Sequence, residues 1–496
     1  MSHVEPRVPL ARARVVVAGL GVTGRAVVES LGALDGRAGT TVTVDAHADD
    51  ADVRGADAAD PEVVARLVAD ADLVVASPGW PPAAPLLAAA TAAAVPVWSE
   101  IELAWRLRVP RSRQPGQGPA PWLAVTGTNG KTTTVEMLGS ILTAAGLRAA
   151  VVGNVGTPLV AAVLDPSYDV LAVELSSFQL HFTHTMSVQA GAVLNVAPDH
   201  LDWHGSFEAY AADKGRIYER AQVACVYNVA DPRTEGLVLD ADVVEGARAV
   251  GFTLGTPAAG QLGLVEDVLV DRAFHAPADA VDRLTYAAEL GTLGDLAHLA
   301  PTSPTADTPA FAPPHVVADA LAAAALARAH GVPARAVRDG LRAFRPGAHR
   351  IDQVGLLDGV AYVDDSKATN PHAAAASLAG YAPGTVVWVA GGLAKGAQFD
   401  ELVSGRRDRL RAVVLIGVDQ APLADALARH APEIPVVRID PGDTGSVMRR
   451  AVLAAREHAR PGDTVLLAPA GASMDQFRSY AQRGDAFAAA VAELEH

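Results

Sequence analysis

An apolar run, Trp122-Leu123-Ala124-Val125, leads into Thr126-Gly127-Thr128-Asn129-Gly130-Lys131-Thr132-Thr133, and a helical pattern follows from Thr133 to Ala145. Strand, glycine-rich turn and helix in that order commit the surrounding chain to an α/β layer with the turn at the strand's carboxyl end. Two glycines let backbone N–H groups curl around an anion, and the helix N-terminus adds the positive end of its dipole. Lys131 supplies a point charge and the Thr132 hydroxyl suits Mg²⁺. The run reads as a cradle for nucleotide phosphates; the competing reading is a chance Gly-Lys turn. Val125 stands six residues before Lys131, where the full phosphate-loop pattern has glycine.

The rest of the chain keeps the same alternation. Strand patterns at Arg14–Ala18, Thr41–Val44 and Asp72–Ala76 are separated by helical stretches. Four more, Leu123–Val125, Ala149–Val152, Val170–Val173 and Ala190–Leu194, each run into polar residues. A third series comprises Val360–Val363, Val386–Ala390, Ala412–Ile416, Pro435–Ile439 and Thr464–Ala468, with helices at Ala421–Arg429, Ser446–Ala459 and Gln476–Glu493. Proline-rich seams at 110–121 and around Phe344–Arg350 separate the three series. The 496 residues suit roughly three domains. The expectation is an α/β protein of three domains at 1–118, 119–346 and 347–496. The first and last are Rossmann-like, and the middle one is of the phosphate-loop ATPase type. Residues 255–312, rich in Pro, Ala, Asp and Thr with little periodicity, read as an extended excursion, partly loop.

Composition excludes several classes. A net charge of −16 argues against nucleic acid and anionic membranes as partners. Cys225 is the only cysteine, so no internal disulfide or cysteine-built metal site can form. The Ala-rich stretches Leu86–Ala94 and Leu321–Ala327 fall short of the roughly 18 apolar residues a membrane span needs. The N-terminus lacks the apolar core of a signal peptide. A cytoplasmic protein is expected.

In a parallel sheet, ligands gather outside the carboxyl ends of the strands. Glu174 ends one such strand and can face a Mg²⁺ shared with Thr132 and phosphate; read more plainly, it caps the next turn. His200 lies among five polar groups in residues 195–204, which suggests a site, although a lone histidine is as readily structural. Lys214 sits on a helical stretch, where a lysine is usually a solvated charge. Gly19, Gly21 and Gly24 follow a strand as G-x-G-x-x-G, and Asp45 ends the next strand. Unaided, that pattern points to a dinucleotide and an NAD-dependent oxidoreductase.

Four segments follow one another in a specific order: Thr126–Thr133, Glu174-Leu175-Ser176-Ser177-Phe178-Gln179-Leu180, Asn195 to His200, and Lys214-Gly215-Arg216-Ile217-Tyr218. In this order they resemble the Mur ligases, ATP-dependent amide ligases that build the peptidoglycan precursor peptide. Asp364-Asp365-Ser366-Lys367-Ala368-Thr369-Asn370 and Leu466 to Phe477 look like the branch that adds D-glutamate to UDP-N-acetylmuramoyl-L-alanine. The likeness spans nearly the whole chain and is weakest at 111–120 and 228–312. A sister Mur ligase or a folylpolyglutamate synthase remains the alternative within the same scaffold.

The resemblance implies roles residue by residue. ATP would meet Gly127, Thr128, Asn129, Gly130, Lys131, Thr132, Thr133, Arg350 and Asp365. Two Mg²⁺ ions would be held by Thr132, Glu174, His200 and a carbamylated Lys214. With Lys131, the last three would form the catalytic set. The UDP-substrate would meet Gly21, Val22, Thr23, Asp45, Ser77, Pro78, Gly79 and Asn154, so the N-terminal glycines would hold a UDP diphosphate rather than NAD. D-glutamate would meet Thr369, Lys395, Ser473, Met474 and Tyr480. Small molecules are the expected partners, and a monomer the expected state. The chain departs from the family at Ala46-His47, at 315–320, and at Ala468 and Gly471.

Overall fold

The structure, a computed structural model, describes residues 5–495 except 7, 34–38, 115, 277–279, 281–283, 301–311 and 443. The chain forms two compact units, one of residues 1–291 with 319–343, the other of 292–318 with 344–496.

Two sheets lie in the first unit. One joins β1 (Val15–Ala18), β2 (Thr41–Asp45), β3 (Val53–Arg54), β4 (Leu73–Ala76) and β5 (Val97–Ser99) in the order β3-β2-β1-β4-β5, and every pairing is parallel. Strand order reverses at β1, so its carboxyl end opens on the crevice such sheets use for ligands. Strand β1 is buried along its whole length, which explains its unbroken Val-Val-Val-Ala run.

The second sheet has nine strands: β6 (Trp122–Thr126), β7 (Ala149–Gly153), β8 (Val170–Glu174), β9 (Ala190–Val193), β10 (Ala224–Asn228), β11 (Arg248–Phe252), β12 (Gln261–Val265), β13 (Val268–Asp271) and β14 (Ala288–Thr292). Strand β6 lies between β8 and β9, all parallel, so the loops leaving these three strands share one edge. One apolar core runs from Leu31, Trp98 and Ile101 beside the first sheet to Trp122, Ala124 and Leu171 in the second, which joins the two sheets into one unit. Helix Ala334–Ala343 packs tightly on helix Lys131–Ala144 because Gly340 lacks a Cβ: one there would lie 2.7 Å from the Ile141 nitrogen. The Ser140 hydroxyl donates to the Gly340 carbonyl at 2.7 Å.

In the second unit, β15 (Asp352–Leu357), β16 (Val360–Asp364), β17 (Val386–Gly391), β18 (Leu410–Ile416), β19 (Val436–Arg438) and β20 (Thr464–Ala470) are ordered β15-β16-β20-β17-β18-β19. All pairings are parallel except β15 with β16.

Residues 255–312 are partly loop, as expected, but carry regular elements as well: β12 and β13 form an antiparallel hairpin that extends the central sheet, β14 follows, and a short 3-10 helix spans Leu293–Leu299. Residues 301–311 of that excursion lie outside the described residues. The last long helix starts at Tyr480 rather than Gln476, because the Ser479 side chain accepts from the Gln482 N–H and caps it there. The seam at 110–121 is tied to the central sheet: Arg113 pairs with Asp169 at 2.8 Å, and Arg111 donates to the carbonyls of Gly118 and Asp169. Among the described residues, no helix is long and apolar enough to cross a membrane.

Candidate active site

The loop after β6 takes the shape its glycines allow. Gly127 and Gly130 have φ of +153° and +84°, and Gly130 is the N-cap of helix Lys131–Ala144. The positive φ of Gly130 is what favours glycine there; a Cβ would also run into the Asp319 carboxylate and lie 3.2 Å from Leu194 Cδ1, so those side chains would have to shift. The loop is fastened to the segment after β9. The Asn129 N–H donates to Asn195 Oδ1 at 2.9 Å, the Thr128 N–H to the Asn195 carbonyl at 3.0 Å, and the Ala197 N–H to Thr128 Oγ1 at 3.0 Å.

Two lysines converge on this loop. Lys131 Nζ donates to the carbonyls of Gly127 and Thr128 at 2.8 and 2.9 Å. Lys214 Nζ donates to the same Gly127 carbonyl at 2.9 Å and lies 4.6 Å from the centre of the Tyr210 ring. Lys214 is fully buried, contrary to the solvated charge its helical stretch suggests. Burial and the neighbouring Lys131 cation push its amine far below the ordinary lysine range.

Glu174 ends β8 beside this loop and is 1% exposed. Its Oε1 accepts from Asn154 Nδ2 at 2.9 Å, while Oε2 is buried with no hydrogen-bond partner. Asn154 is held in place by its own N–H, which donates to the Glu174 carbonyl at 3.0 Å. A carboxylate oxygen is an acceptor only, so a buried, unpartnered one suits a cation. Thr132 opens the adjacent helix, buried. His200 has φ +53° and caps the short helix Leu201–His204; its ring lies 4.7 Å from Phe178 and 3.6 Å from Asp199.

A clamp next to Lys214 went unnoticed in the sequence. Asp213 Oδ2 accepts from His181 Nδ1 at 2.8 Å and from His204 Nδ1 at 2.9 Å, and His204 Nε2 meets the Ser177 hydroxyl at 3.0 Å. Burial pushes the Asp213 carboxyl up, but bonds from the two histidines outweigh it and hold it below its ordinary value. The trio has ligand atoms close enough for a metal ion. The spacing is that of hydrogen bonds, however, and the Arg216 guanidinium already stands 3.4 Å from the carboxylate. The clamp ties helix Ser177–His181, which follows Glu174, to helix Phe207–Gly215, which carries Lys214.

At the carboxyl end of β1, Gly19 has φ +93°, and the Ser77 hydroxyl donates to its carbonyl at 3.0 Å. Helix Val22–Gly32 approaches so closely that a Cβ on Gly24 would strike the Gly19 carbonyl. Asp45 Oδ2 accepts from the Leu20 N–H at 2.7 Å and Oδ1 from the His47 N–H at 2.8 Å, so this carboxylate shapes the loop. Gly21 and Val22 are exposed at its tip, with Thr23 half-buried beside them. Ser77, Pro78 and Gly79 leave β4 on the same edge.

The remaining candidates belong to the second unit. Asp365 is buried, close to the Ser377 hydroxyl and the Ile351 N–H, with Arg350 near; burial pushes its carboxyl up to about 7. Thr369 and Tyr480 are half-buried, Ser473 is buried, and Lys395 and Met474 are exposed. Lys367 Nζ lies 4.1 Å from the centre of the Tyr480 ring.

Residues 125–261 match the family model described as the Mur ligase middle domain, and residues 349–471 match the Mur ligase glutamate ligase domain. The chain is 60% identical over 490 residues to the UDP-N-acetylmuramoylalanine–D-glutamate ligase of Streptomyces avermitilis, covering 97% of this chain and 98% of that protein. The chain belongs to the Mur ligase family. The enzyme of the same name from Streptomyces coelicolor is 59% identical over 489 residues, again covering 97% of this chain and 98% of that one. The Mur ligase fold is shared with the UDP-N-acetylmuramate–alanine ligase of Thermotoga maritima, at TM-score 0.53 and 17% identity, covering 97% of this chain and all of that one. The middle-domain match takes in the loop, Glu174, His200 and Lys214 of this Mur ligase; Ser473, Met474 and Tyr480 lie beyond the second match.

Proposed function

We propose that this chain is the ATP-dependent ligase that joins D-glutamate to UDP-N-acetylmuramoyl-L-alanine in peptidoglycan precursor synthesis. One observation carries the chemistry: a buried lysine amine and an unpartnered carboxylate oxygen flank a glycine-rich phosphate loop. The names of relatives about 60% identical over nearly the full length, together with Ser366–Asn370, support D-glutamate as the amino acid.

The backbone N–H groups from Gly127 to Thr133 and the Lys131 ammonium hold the ATP phosphates. Thr132, Glu174, His200 and Lys214 would hold Mg²⁺, two ions in this reading. Mg²⁺, when bound, offsets phosphate charge as it builds at the transferring group. Burial and the Lys131 cation favour the neutral form of the Lys214 amine, and the neutral amine is the form that adds to CO₂, giving a carbamate and releasing one proton. The product is an anion with two oxygens, suited to a hard cation where an ammonium would repel it.

The substrate's L-alanyl carboxylate attacks the γ-phosphorus of ATP, forming a C–O–P bond and releasing ADP. Arg350 and Asp365 are proposed nucleotide contacts. Gly21, Val22, Thr23, Asp45, Ser77, Pro78 and Gly79 hold the UDP end, and Asn154 the muramoyl end. The D-glutamate amine, positioned by Thr369, Lys395, Ser473, Met474 and Tyr480, then attacks the acyl carbon. The tetrahedral intermediate expels phosphate, and the amine's proton passes to solvent. Loop and lysine act where charge develops, which is where such interactions lower a barrier.

The acyl phosphate gives a direct test. With ATP and the UDP-substrate but no amino acid, borohydride quenching should yield the alaninol form of the UDP-sugar. Recovery of unreduced substrate alone would contradict the mechanism.

A further inference from the structure

Arg483 is 1% exposed, and among the described residues its side-chain hydrogen bonds go to neutral oxygens, while the Asp475 and Asp364 carboxylates favour its charged form from farther off. Its Nε donates to Ser366 Oγ, its Nη2 to the Ser366 carbonyl and its Nη1 to the Gly471 carbonyl, each at 3.0 Å. A Cβ on Gly392 would lie 3.2 Å from Nη1, so that glycine also packs on the guanidinium. The Ser366 hydroxyl passes the connection on by donating to the Tyr480 carbonyl at 2.8 Å. Leu393 and Ala472 exchange backbone hydrogen bonds at 2.8 and 3.0 Å, and the Ala470 N–H donates to the Ala368 carbonyl at 2.9 Å.

Four chain segments therefore meet at one side chain. Segment 366–370 carries Thr369, 391–395 carries Lys395, 470–474 carries Ser473, and the helix from Tyr480 carries Arg483 itself. Burial pushes the guanidinium down to about 10, so it stays protonated at neutral pH. A buried cation without a hydrogen-bonded carboxylate is a poor source of stability, and an apolar side chain of similar volume would cost less to bury. What the guanidinium offers is a rigid planar fork that aims several donors at once, which a lysine cannot reproduce.

We propose that Arg483 is the positioning residue of the amino-acid site, fixing the four segments from beneath so that Thr369, Lys395, Ser473 and Tyr480 keep their mutual placement. The proposal rests on the reading that these residues receive D-glutamate. Arg483 touches no substrate in this account.

The test compares wild type with Arg483→Lys and Ser366→Ala, measuring KM for all three substrates, kcat and Tm. Both variants should raise KM for D-glutamate, Arg483→Lys by about tenfold or more, while KM for ATP stays within about twofold. Guanidinium ion added to Arg483→Ala should lower that KM again. An Arg483→Lys enzyme that folds and keeps the wild-type KM for D-glutamate overturns the proposal, as does an equal rise in all three KM values. If the Arg483 variants do not fold, Ser366→Ala decides by the same criterion, since it removes one arm of the network and leaves the guanidinium. Wild-type enzyme that turns over a different amino acid would refute the D-glutamate reading instead. Arg483 would then be judged by the KM for that amino acid.

Discussion

At the scale of single residues, the site depends on two buried groups, Glu174 and Lys214. Glu174 has one oxygen bonded to Asn154 and one without a partner. In Glu174→Gln the amide oxygen can still accept from Asn154, so Tm should change by no more than a few degrees. Activity should fall by about 100-fold or more through loss of the anionic oxygen; parallel kcat and melting measurements check this. Lys214→Ala should be inactive, and a small carboxylate such as acetate should restore part of the rate by supplying the missing anion. Full activity in that variant would exclude the carbamate. Glu100 gives a stability prediction. Its Oε1 accepts from Gln179, Oε2 is unpartnered, and burial pushes the carboxyl up to about 7. The folded state then holds a proton that the unfolded state releases above about pH 4.5, so stability falls as pH rises from about 5 to 7, by up to about 3 kcal/mol. Melting curves across that range should show the fall, and Glu100→Gln should flatten it.

At the scale of elements, the glycine turn and its neighbours had the clearest sequence signals. Strands β1, β6, β8 and β9 were legible because buried parallel strands read as apolar runs, and the polar residue closing each run marks the sheet edge. Glu174 and Asn154 could be placed there from the sequence. Lys214 could not: only the packing of helix Phe207–Gly215 buries it, and helical periodicity says nothing of that. The Asp213–His204–His181 clamp was hidden for the same reason, since its members come from three helices. The β12–β13 hairpin was missed because its strands are four and five residues long amid Pro and Gly. Nothing in the sequence separates Arg483 from an ordinary helix charge. For the loop, φ of +84° and the nearby Asp319 carboxylate make Gly130→Ala destabilising by about 1–3 kcal/mol, readable as a lower denaturation midpoint.

At the scale of the whole molecule, three α/β sheets carry three groups of candidate contacts, for UDP, for ATP and for the amino acid. The G-x-G-x-x-G turn alone suggested a nicotinamide enzyme. In the proposed function the same turn would hold a UDP diphosphate instead, which the same backbone geometry serves as well. A ligase of this kind couples its substrates: inorganic phosphate should be released in turnover only when acid and amine partners are both present, since the amine is what expels it from the acyl phosphate. The most direct test is an amino-acid panel with purified protein, ATP, Mg²⁺ and UDP-N-acetylmuramoyl-L-alanine, with phosphate release as the readout. Release with D-glutamate, and none with L-alanine or diaminopimelate, is the predicted result. Turnover with either of those and none with D-glutamate would contradict it.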